Sequence, residues 1–379
     1  MNIQGVEPGE VIAPTTIDEA RAAVERLGRA KKAMVFVGGG TKLGLGAPPT
    51  RLDAVLRTTG LARIVEYAPS DQVVTVEAGI TLGALQSRLA ADRQRLCLDA
   101  PWPDDATLGG IIASNSFGPL RARSGSIRDL ILGITLVRAD GVLARGGGRV
   151  VKNVAGFDLP KLACGSLGTL ALIAAVTLRV HPLPEATETR VVEGLDAAGV
   201  VALSRTLRAA QLEPSALVAR RVSGAVWEMA LRFEGFGPAV VQQLARLGAS
   251  CTHRLDESGV FALHRRAREG ARVRLKIAAL PTALPAVEAA LAPLKANELA
   301  WYPTLGIGFL SANDASTDAI QTARDALRAL GGTLTVEQAP ASVVLAPWSN
   351  PAALGLHQAM KARFDPEGLL APGRFVGGI

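Results

Sequence analysis

The chain has 379 residues and a formal net charge of +7; hydrophobic residues make up 49% of it and charged residues 20%. This composition excludes a disordered chain and a coiled coil, and the length predicts two or three domains. The basic residues are scattered singly among acidic ones, and the chain has only two tyrosines, so no nucleic-acid partner is expected.

The cysteines and the apolar stretches indicate the cellular compartment of the protein. Cys97, Cys164 and Cys251 lie too far apart for a CxxC zinc site and are too few for a cluster held by cysteines alone. The first residues lack the basic and apolar regions of a signal peptide, and the longest apolar stretch, Leu167 to Leu178, is too short to span a bilayer. We therefore expect a cytoplasmic protein with no metal and no membrane span, held at the inner face of the cell membrane at most through partners.

Up to residue 184 the sequence predicts short strands, helices and glycine-rich loops. Thr16 and Glu19 form a capping box that opens the first helix. The predicted elements are a helix over 15–27, strands over 33–37, 64–67 and 73–77, a helix over 82–90, a hairpin of strands over 130–138 and 142–145, and a strand over 170–180.

Pro182 and Pro184 mark a predicted domain boundary, because strands alternating with amphipathic helices follow them. These elements are a helix over 196–210, strands over 216–221 and 226–233, a helix over 237–247, a strand over 272–279, a helix over 282–295, a strand over 304–310, a helix over 316–330 and a strand over 333–337. This order predicts an antiparallel sheet backed by helices. The predicted domains are 1–184, 185–350 and a C-terminal segment, 351–379, that returns to the first domain.

A glycine-rich loop, Gly38 to Gly46, directly follows the predicted strand over 33–37. It is not a nicotinamide dinucleotide fingerprint, because position 43 is leucine, nor a Walker A loop, because position 45 is leucine. Glycine lets backbone amides approach an anion closely, so we expect this loop to contact phosphate rather than to be a mere flexible turn.

Two later segments also carry small residues. Thr107 to Gly118 contains a Gly-Gly pair and a Ser-Asn pair, and taken alone it fits a cofactor surface or tight helix packing equally well. Gly165 to Leu170 forms a turn before an apolar strand, a pattern that is common and weakly specific.

Together, and in this order, the three segments resemble the flavin-binding domain of the vanillyl-alcohol-oxidase type, the PCMH fold. The likeness extends to Thr75–Gly79 with Thr81, Ser126–Asp129, Gly156–Leu162, Phe364–Pro366 and Pro372–Arg374. The resemblance implies an α+β fold in which a PCMH-type FAD-binding domain is followed by a second, ferredoxin-like α/β cap domain.

The resemblance also implies which residues bind FAD. The amides of Gly38, Gly39, Gly40, Thr41, Lys42 and Leu43 would contact the pyrophosphate. The other implied cofactor residues are Pro101, Thr107, Leu108, Gly109, Gly110, Ala113, Ser114, Gly165, Gly168, Thr169 and Ile173. None of these segments contains a histidine for covalent attachment, so we expect non-covalent FAD.

Two segments, Val150–Leu162 and Asn115–Arg121, resemble the family of FAD-binding E subunits of bacterial glycolate oxidases. This resemblance implies a subunit that works beside a catalytic flavoprotein subunit and an iron–sulfur subunit. The complex would oxidise glycolate, a 2-hydroxy acid, to glyoxylate and pass electrons towards a quinone. The alternatives are a self-sufficient FAD-dependent 2-hydroxy-acid dehydrogenase acting on a D-lactate-like substrate and a structural subunit that has lost FAD.

The catalytic residue stays unknown at this point. Related dehydrogenases carry a histidine- and acid-rich block in the second domain, whereas the comparable stretch here, 301–310, is apolar. Arginines at 121, 123 and 374 offer an alternative cationic site. His253 and His264 are expected on a solvated face. Asp158 is expected either to cap a helix over 159–163 or to contact the flavin or substrate.

Overall fold

The computed structural model describes residues 2–149, 156–247 and 259–379. The chain folds into two compact units. The first unit comprises Met1–Phe117, Gly125–Pro182 and Asn350–Ile379, and the second comprises Gly118–Ser124 and Leu183–Ser349. The predictions made for Cys251, His253 and the start of Val150–Leu162 fall outside the described residues.

The strands are numbered in chain order through both units. They are β1 (Glu10–Ile12), β2 (Met34–Val37), β3 (Ala54–Arg57), β4 (Ile64–Ala68), β5 (Val73–Glu77), β6 (Gln94–Arg95), β7 (Ile131–Val137), β8 (Leu143–Gly147), β9 (Leu172–Arg179), β10 (His181–Pro182), β11 (Ala186–Leu195), β12 (Ala216–Ser223), β13 (Val226–Gly235), β14 (Val273–Ala278), β15 (Glu298–Tyr302), β16 (Ile307–Ala312) and β17 (Thr333–Gln338).

The helices are numbered in the same way. They are α1 (Ile17–Arg29), α2 (Leu82–Ala90), α3 (Leu108–Ser114), α4 (Arg121–Ser124), α5 (Ile127–Leu130), α6 (Leu159–Ala163), α7 (Ala197–Ala209), α8 (Gly237–Leu247), α9 (Val260–Gly270), α10 (Leu284–Ala290), α11 (Thr317–Ala329) and α12 (Leu354–Phe364). Within the described residues, no helix has the length and apolar character needed to cross a membrane.

A small parallel sheet, in the order β1-β3-β2, lies at the start of the first unit. The C-terminal segment extends it, because the Met34 amide donates to the Leu369 carbonyl at 2.8 Å and the Ala371 amide donates to the Met34 carbonyl at 2.8 Å. Helix α1 begins at its predicted cap, where Thr16 Oγ1 accepts the Glu19 amide at 3.1 Å. The strand before the first glycine-rich loop is therefore held on both edges.

The larger sheet of the first unit is antiparallel, in the order β4-β5-β9-β7-β8. Strands β7 and β8 form the predicted hairpin, and Gly141 at its turn has φ +79°, a conformation that favours glycine. The buried residues Leu85, Leu89 and Leu108 of α2 and α3 belong to the same core as Val76 of β5. This packing brings α3, which carries the second small-residue segment, against the sheet.

The second unit is built on a seven-stranded sheet in the order β11-β13-β12-β15-β16-β14-β17. Side chains alternate between its faces, so Trp227, Phe233 and Trp301 point with Leu275 into one hydrophobic core. That core also takes residues from α7, α10 and α11. The predicted mixture of helices and strands is confirmed, and helices packed on a sheet also make up the second unit.

Candidate functional site

The three glycine-rich segments meet at one cleft in the first unit. Its lining residues are Val35, Phe36, Val37, Gly38, Gly39, Gly40, Thr41, Lys42, Leu43, Thr58, Thr107, Gly109, Gly110, Ala113, Ser114, Leu167, Gly168, Ala171, Leu172, Ile173 and Arg374.

Most of the residues singled out from the sequence line this cleft, and four do not. Leu108 is buried in the core beneath α3, and Pro101 is also buried outside the lining. Thr169 turns its hydroxyl to the Ser166 carbonyl at 2.7 Å, and the Gly165 amide donates to the Ile112 carbonyl at 2.9 Å. These four residues lie outside the lining of the cleft.

The first loop needs glycine for two separate reasons. A Cβ added at Gly39 would overlap the backbone oxygen of Asp105, and one added at Gly38 would overlap the Thr107 hydroxyl. Gly40 has φ +77°, in the left-handed region. The loop backbone is therefore in close contact with the segment that leads into α3, which contains Asp105 and Thr107.

The amides of this loop are available to a ligand. Those of Gly39, Gly40 and Thr41 have no hydrogen-bond acceptor among the described residues. Backbone donors that line a cleft need a partner, and consecutive amides of this kind form an anion-binding nest. Lys42 adds a positive charge, with its Nζ 5.7 Å from the centre of the Trp102 ring.

Helix α3 contributes its small residues through close packing. Gly109 donates its amide to the Ala78 carbonyl at 2.7 Å, and a Cβ there would lie 3.1 Å from that oxygen. Ser114 Oγ donates to the Gly110 carbonyl at 2.7 Å. Just after the helix, Asn115 Oδ1 is buried and has no hydrogen-bond donor among the described residues.

The third segment completes the wall with a run of left-handed residues. Gly165, Leu167 and Gly168 have φ +82°, +52° and +75°. Leucine is rare in that region, so the surrounding structure must hold Leu167 there, and its amide donates to the Ala113 carbonyl at 2.9 Å. Strain of this kind collects at ligand sites.

Of the three arginines offered from the sequence, only Arg374 lines the cleft. Its side chain is buried and donates to the carbonyls of the first loop, and burial lowers the pKa of its guanidinium to about 10. Arg121 and Arg123 belong to α4 of the second unit, where Arg123 pairs with Glu213 at 2.8 Å.

The residues of the cleft fit a dinucleotide that carries phosphate: a backbone loop with open amides, cations and an apolar wall. Residues 8–147 match the family described as the FAD binding domain. The chain carries an FAD-binding domain. Its cofactor is FAD.

Several known proteins are similar to this chain. The glycolate oxidase subunit GlcE of Escherichia coli is 35% identical over 174 residues, which are 45% of this chain and 49% of that protein. A D-lactate dehydrogenase of Archaeoglobus fulgidus is 28% identical over 409 aligned positions, covering 97% of this chain and 91% of the relative. The match to the first of these relatives thus spans only about half of its length.

A solved structure shares the fold. An alkyldihydroxyacetonephosphate synthase superposes with a TM-score of 0.74 at 17% identity, covering 96% of this chain and 75% of that one.

His264 corrects a prediction made from the sequence. It was expected on a solvated face but is only 2% exposed. Its Nδ1 lies 2.8 Å from Glu298 Oε1, and its Nε2 lies 2.9 Å from Tyr302 Oη. The spacing of Val260, His264 and Arg268 places all three on the buried side of α9, a stripe that the sequence pattern could have revealed.

Charged groups surround His264 on this face of the seven-stranded sheet. Arg268, on the same helix, stacks its guanidinium 3.7 Å from the centre of the Phe309 ring. Arg220 of β12 pairs with Glu228 at 2.9 Å. Burial also lowers the pKa of Arg274 and of Lys276 on β14. Among the described residues, no group of three histidine, cysteine, aspartate or glutamate side chains is placed to hold a metal ion.

The buried imidazole makes stability depend on pH. Burial lowers the pKa of His264 although Glu298 opposes the shift, so the unfolded chain takes up a proton near pH 6.5 that the folded chain does not. We expect the free energy of unfolding to fall below pH 6.5 by up to about 1.4 kcal/mol per pH unit. Urea denaturation followed by tryptophan fluorescence between pH 5 and pH 7.5 measures this slope.

The control for this prediction is a comparison between variants. Burial lowers the pKa of His181 in the first unit as well, so the slope of the wild type alone is not decisive. His264→Gln should flatten the pH dependence, whereas His357→Gln, on the surface helix α12, should leave it unchanged. Equal slopes for His264→Gln and the wild type would show that His264 does not carry the effect.

Proposed function

We propose that this chain is the FAD-binding subunit of a complex that oxidises glycolate to glyoxylate. In this proposal it acts beside a catalytic flavoprotein subunit and an iron–sulfur subunit that passes electrons to a quinone. The similarity to GlcE, at 35% identity over 174 residues, supports this assignment. The second unit then serves as a cap domain.

The observation that carries the proposal is the set of ionisable groups in the cleft. The side chains of Lys42 and Arg374 are the ionisable ones among the described lining residues, and both are cations. Oxidation of a 2-hydroxy acid needs a base for the hydroxyl proton. A cleft lined by cations suits the binding of a charged cofactor better than proton abstraction, so a partner would supply the base.

The residues of the first unit have separable tasks. The amides of Gly39, Gly40 and Thr41 would donate to the pyrophosphate, and Phe36, Leu172 and Ile173 would exclude water from the rings. FAD bound there supplies a two-electron acceptor for the hydride. No histidine lies among the described lining residues, so we propose that the flavin is held without a covalent bond.

A second candidate is a self-sufficient FAD-dependent 2-hydroxy-acid dehydrogenase. The match to the D-lactate dehydrogenase of Archaeoglobus fulgidus favours it, because that alignment covers 97% of this chain. The two candidates differ in whether the chain alone is reduced by substrate.

Absorption spectra of the purified chain separate these candidates. We expect a flavin spectrum, release of the flavin into the supernatant on acid precipitation, and no bleaching when glycolate is added anaerobically to the chain alone. Bleaching should follow once the partner subunits are added.

Other outcomes of these spectra decide against the proposal. Bleaching of the isolated chain by glycolate or D-lactate would favour the self-sufficient dehydrogenase. Flavin that stays with the acid precipitate would contradict non-covalent binding. A colourless chain that takes up no added FAD would indicate a structural subunit. Free FAD mixed with glycolate serves as the control for non-enzymatic reduction.

A further inference from the structure

Arg374, near the C-terminus, holds the loop that follows the three glycines. Its Nη2 donates to the carbonyls of Leu43 at 3.0 Å and Leu45 at 2.7 Å, and its Nη1 donates to the Ala47 carbonyl at 3.3 Å. The contact is reciprocal, because the Ala47 amide donates to the Arg374 carbonyl at 3.1 Å. Hydrogen bonds from the Arg374 side chain and from the backbone therefore connect this loop to the C-terminal segment.

This arginine is an unusual residue for a structural clamp. It is only 4% exposed, and it forms no ion pair with an acidic side chain among the described residues. Carbonyl dipoles compensate a buried charge only in part, which is why burial pulls the pKa of Arg374 down. At neutral pH the guanidinium is still charged, so the wall of the cleft carries a cation that lacks a counter-ion.

An uncharged residue supports the same loop and provides a comparison. Gln4 Nε2 donates to the Leu43 carbonyl at 2.8 Å and to the Gly46 carbonyl at 3.0 Å. Shaping of the loop alone can thus be achieved without a charge. The buried guanidinium needs a further explanation, and the open amides of Gly39 to Thr41 lie on the same cleft.

We infer that Arg374 is the fixed cation that pairs with the diphosphate of FAD, and that it joins the C-terminal segment to the first loop as one cofactor clamp. The inference rests on FAD as the cofactor and does not depend on the substrate. Because the segment closes the cleft wall, FAD binding should stabilise it by linkage.

Two substitutions distinguish the effect of the Arg374 charge on FAD binding from the effect of its hydrogen bonds to the loop. Arg374→Gln removes the charge and keeps a donor for the carbonyls, whereas Arg374→Lys keeps the charge. Affinities of the apo chain for FAD and for riboflavin, which has no phosphate, are measured by the change in flavin fluorescence. We expect Arg374→Gln to weaken FAD binding by about tenfold to hundredfold more than riboflavin binding. Arg374→Lys keeps the charge and should therefore weaken FAD binding less than Arg374→Gln does.

Gln4→Ala is the matched control, because it loosens the same phosphate-binding loop without changing charge; it should weaken FAD binding less than Arg374→Gln does and leave the salt dependence of FAD binding at its wild-type value. If Arg374→Gln lowers the FAD affinity by the same factor as Gln4→Ala and leaves its salt dependence at the wild-type value, the arginine only shapes the loop and the inference is wrong. Should that variant not fold, Lys42→Gln decides, because it removes the other cation of the cleft: its FAD affinity must still fall more steeply with salt than its riboflavin affinity, and equal slopes would overturn the inference. A wild type that binds neither flavin would instead contradict the cofactor assignment.

Discussion

Replacing Gly39 by alanine is expected to abolish stable FAD binding. The added Cβ would overlap the backbone oxygen of Asp105, and no side-chain rotation can relieve a clash between two backbones. The loop must shift away from the chain that leads into α3, carrying the amides of Gly39, Gly40 and Thr41 with it. Losing two hydrogen bonds to a charged group, each about 1.5–3 kcal/mol, weakens FAD binding by at least about hundredfold.

The measurement for Gly39→Ala is titration of the apo chain with FAD, combined with urea denaturation. Overpacking should also lower the free energy of unfolding by about 1–3 kcal/mol. Gly355→Ala is the matched control, because Gly355 lies in helix α12 with open space around it and should tolerate or favour alanine. Wild-type FAD affinity in Gly39→Ala would show that this loop does not contact the cofactor.

The elements that the sequence predicted well are those with local signals. Helix α2 has its predicted bounds, 82–90, and α8 likewise has 237–247. Asp158 caps α6 as one of its two readings predicted, accepting the Lys161 amide at 3.1 Å. A capping side chain and an amphipathic stripe act within a few residues of themselves, so a single sequence reveals them.

The missed elements depend on partners far away in the chain. Strand β3 is short and gains its hydrogen bonds from β1 and β2, while β11 pairs with β13 along most of its length. The predicted strand over 304–310 begins only at Ile307, as β16, because the three residues before it belong to the turn after β15, where Gly306 has φ +63°. Strand pairing is non-local, and composition alone does not fix its bounds.

The residues of the cleft also divide into those with a local sequence signal and those that only distant contacts bring together. Glycine clusters pointed to the first loop and to α3 because close backbone approach leaves a mark on composition. Thr58 and Leu172 line the cleft without any such mark, since ordinary strands carry these residue types. Arg374 was noted as a cation, but its carbonyl partners lie more than 300 positions away and only the fold brings them together.

Removing the carboxylate of Asp365 is expected to destabilise the first unit strongly. The side chain is 1% exposed and accepts from Lys361 Nζ at 2.6 Å and from the amides of Leu369 at 3.0 Å and Leu370 at 2.7 Å. Lys361 also donates to the Thr169 carbonyl at 2.9 Å, beside the third glycine-rich turn. This pair therefore ties the C-terminal segment to both the parallel sheet and the wall of the cleft.

Breaking one partner of a buried pair leaves the other charge uncompensated, so Asp365→Asn should lower the free energy of unfolding by about 3–5 kcal/mol. Burial already lowers the pKa of Lys361, and loss of Asp365 removes the interaction that opposes this shift. The unfolded lysine then binds a proton that the folded one gives up, so the deficit of Asp365→Asn should shrink as the pH rises towards 10.

Urea denaturation and amide hydrogen exchange test the role of Asp365, because the Leu369 and Leu370 amides should exchange faster in Asp365→Asn. Asp92→Asn is the matched control: Arg88 and Asp92 form an exposed pair at the same four-residue spacing, at 2.5 Å, and should contribute less than about 1 kcal/mol. Adding Lys361→Met to Asp365→Asn should recover part of the loss, since no buried charge is then left unpaired. Equal losses at the exposed and the buried site would contradict a structural role for this pair.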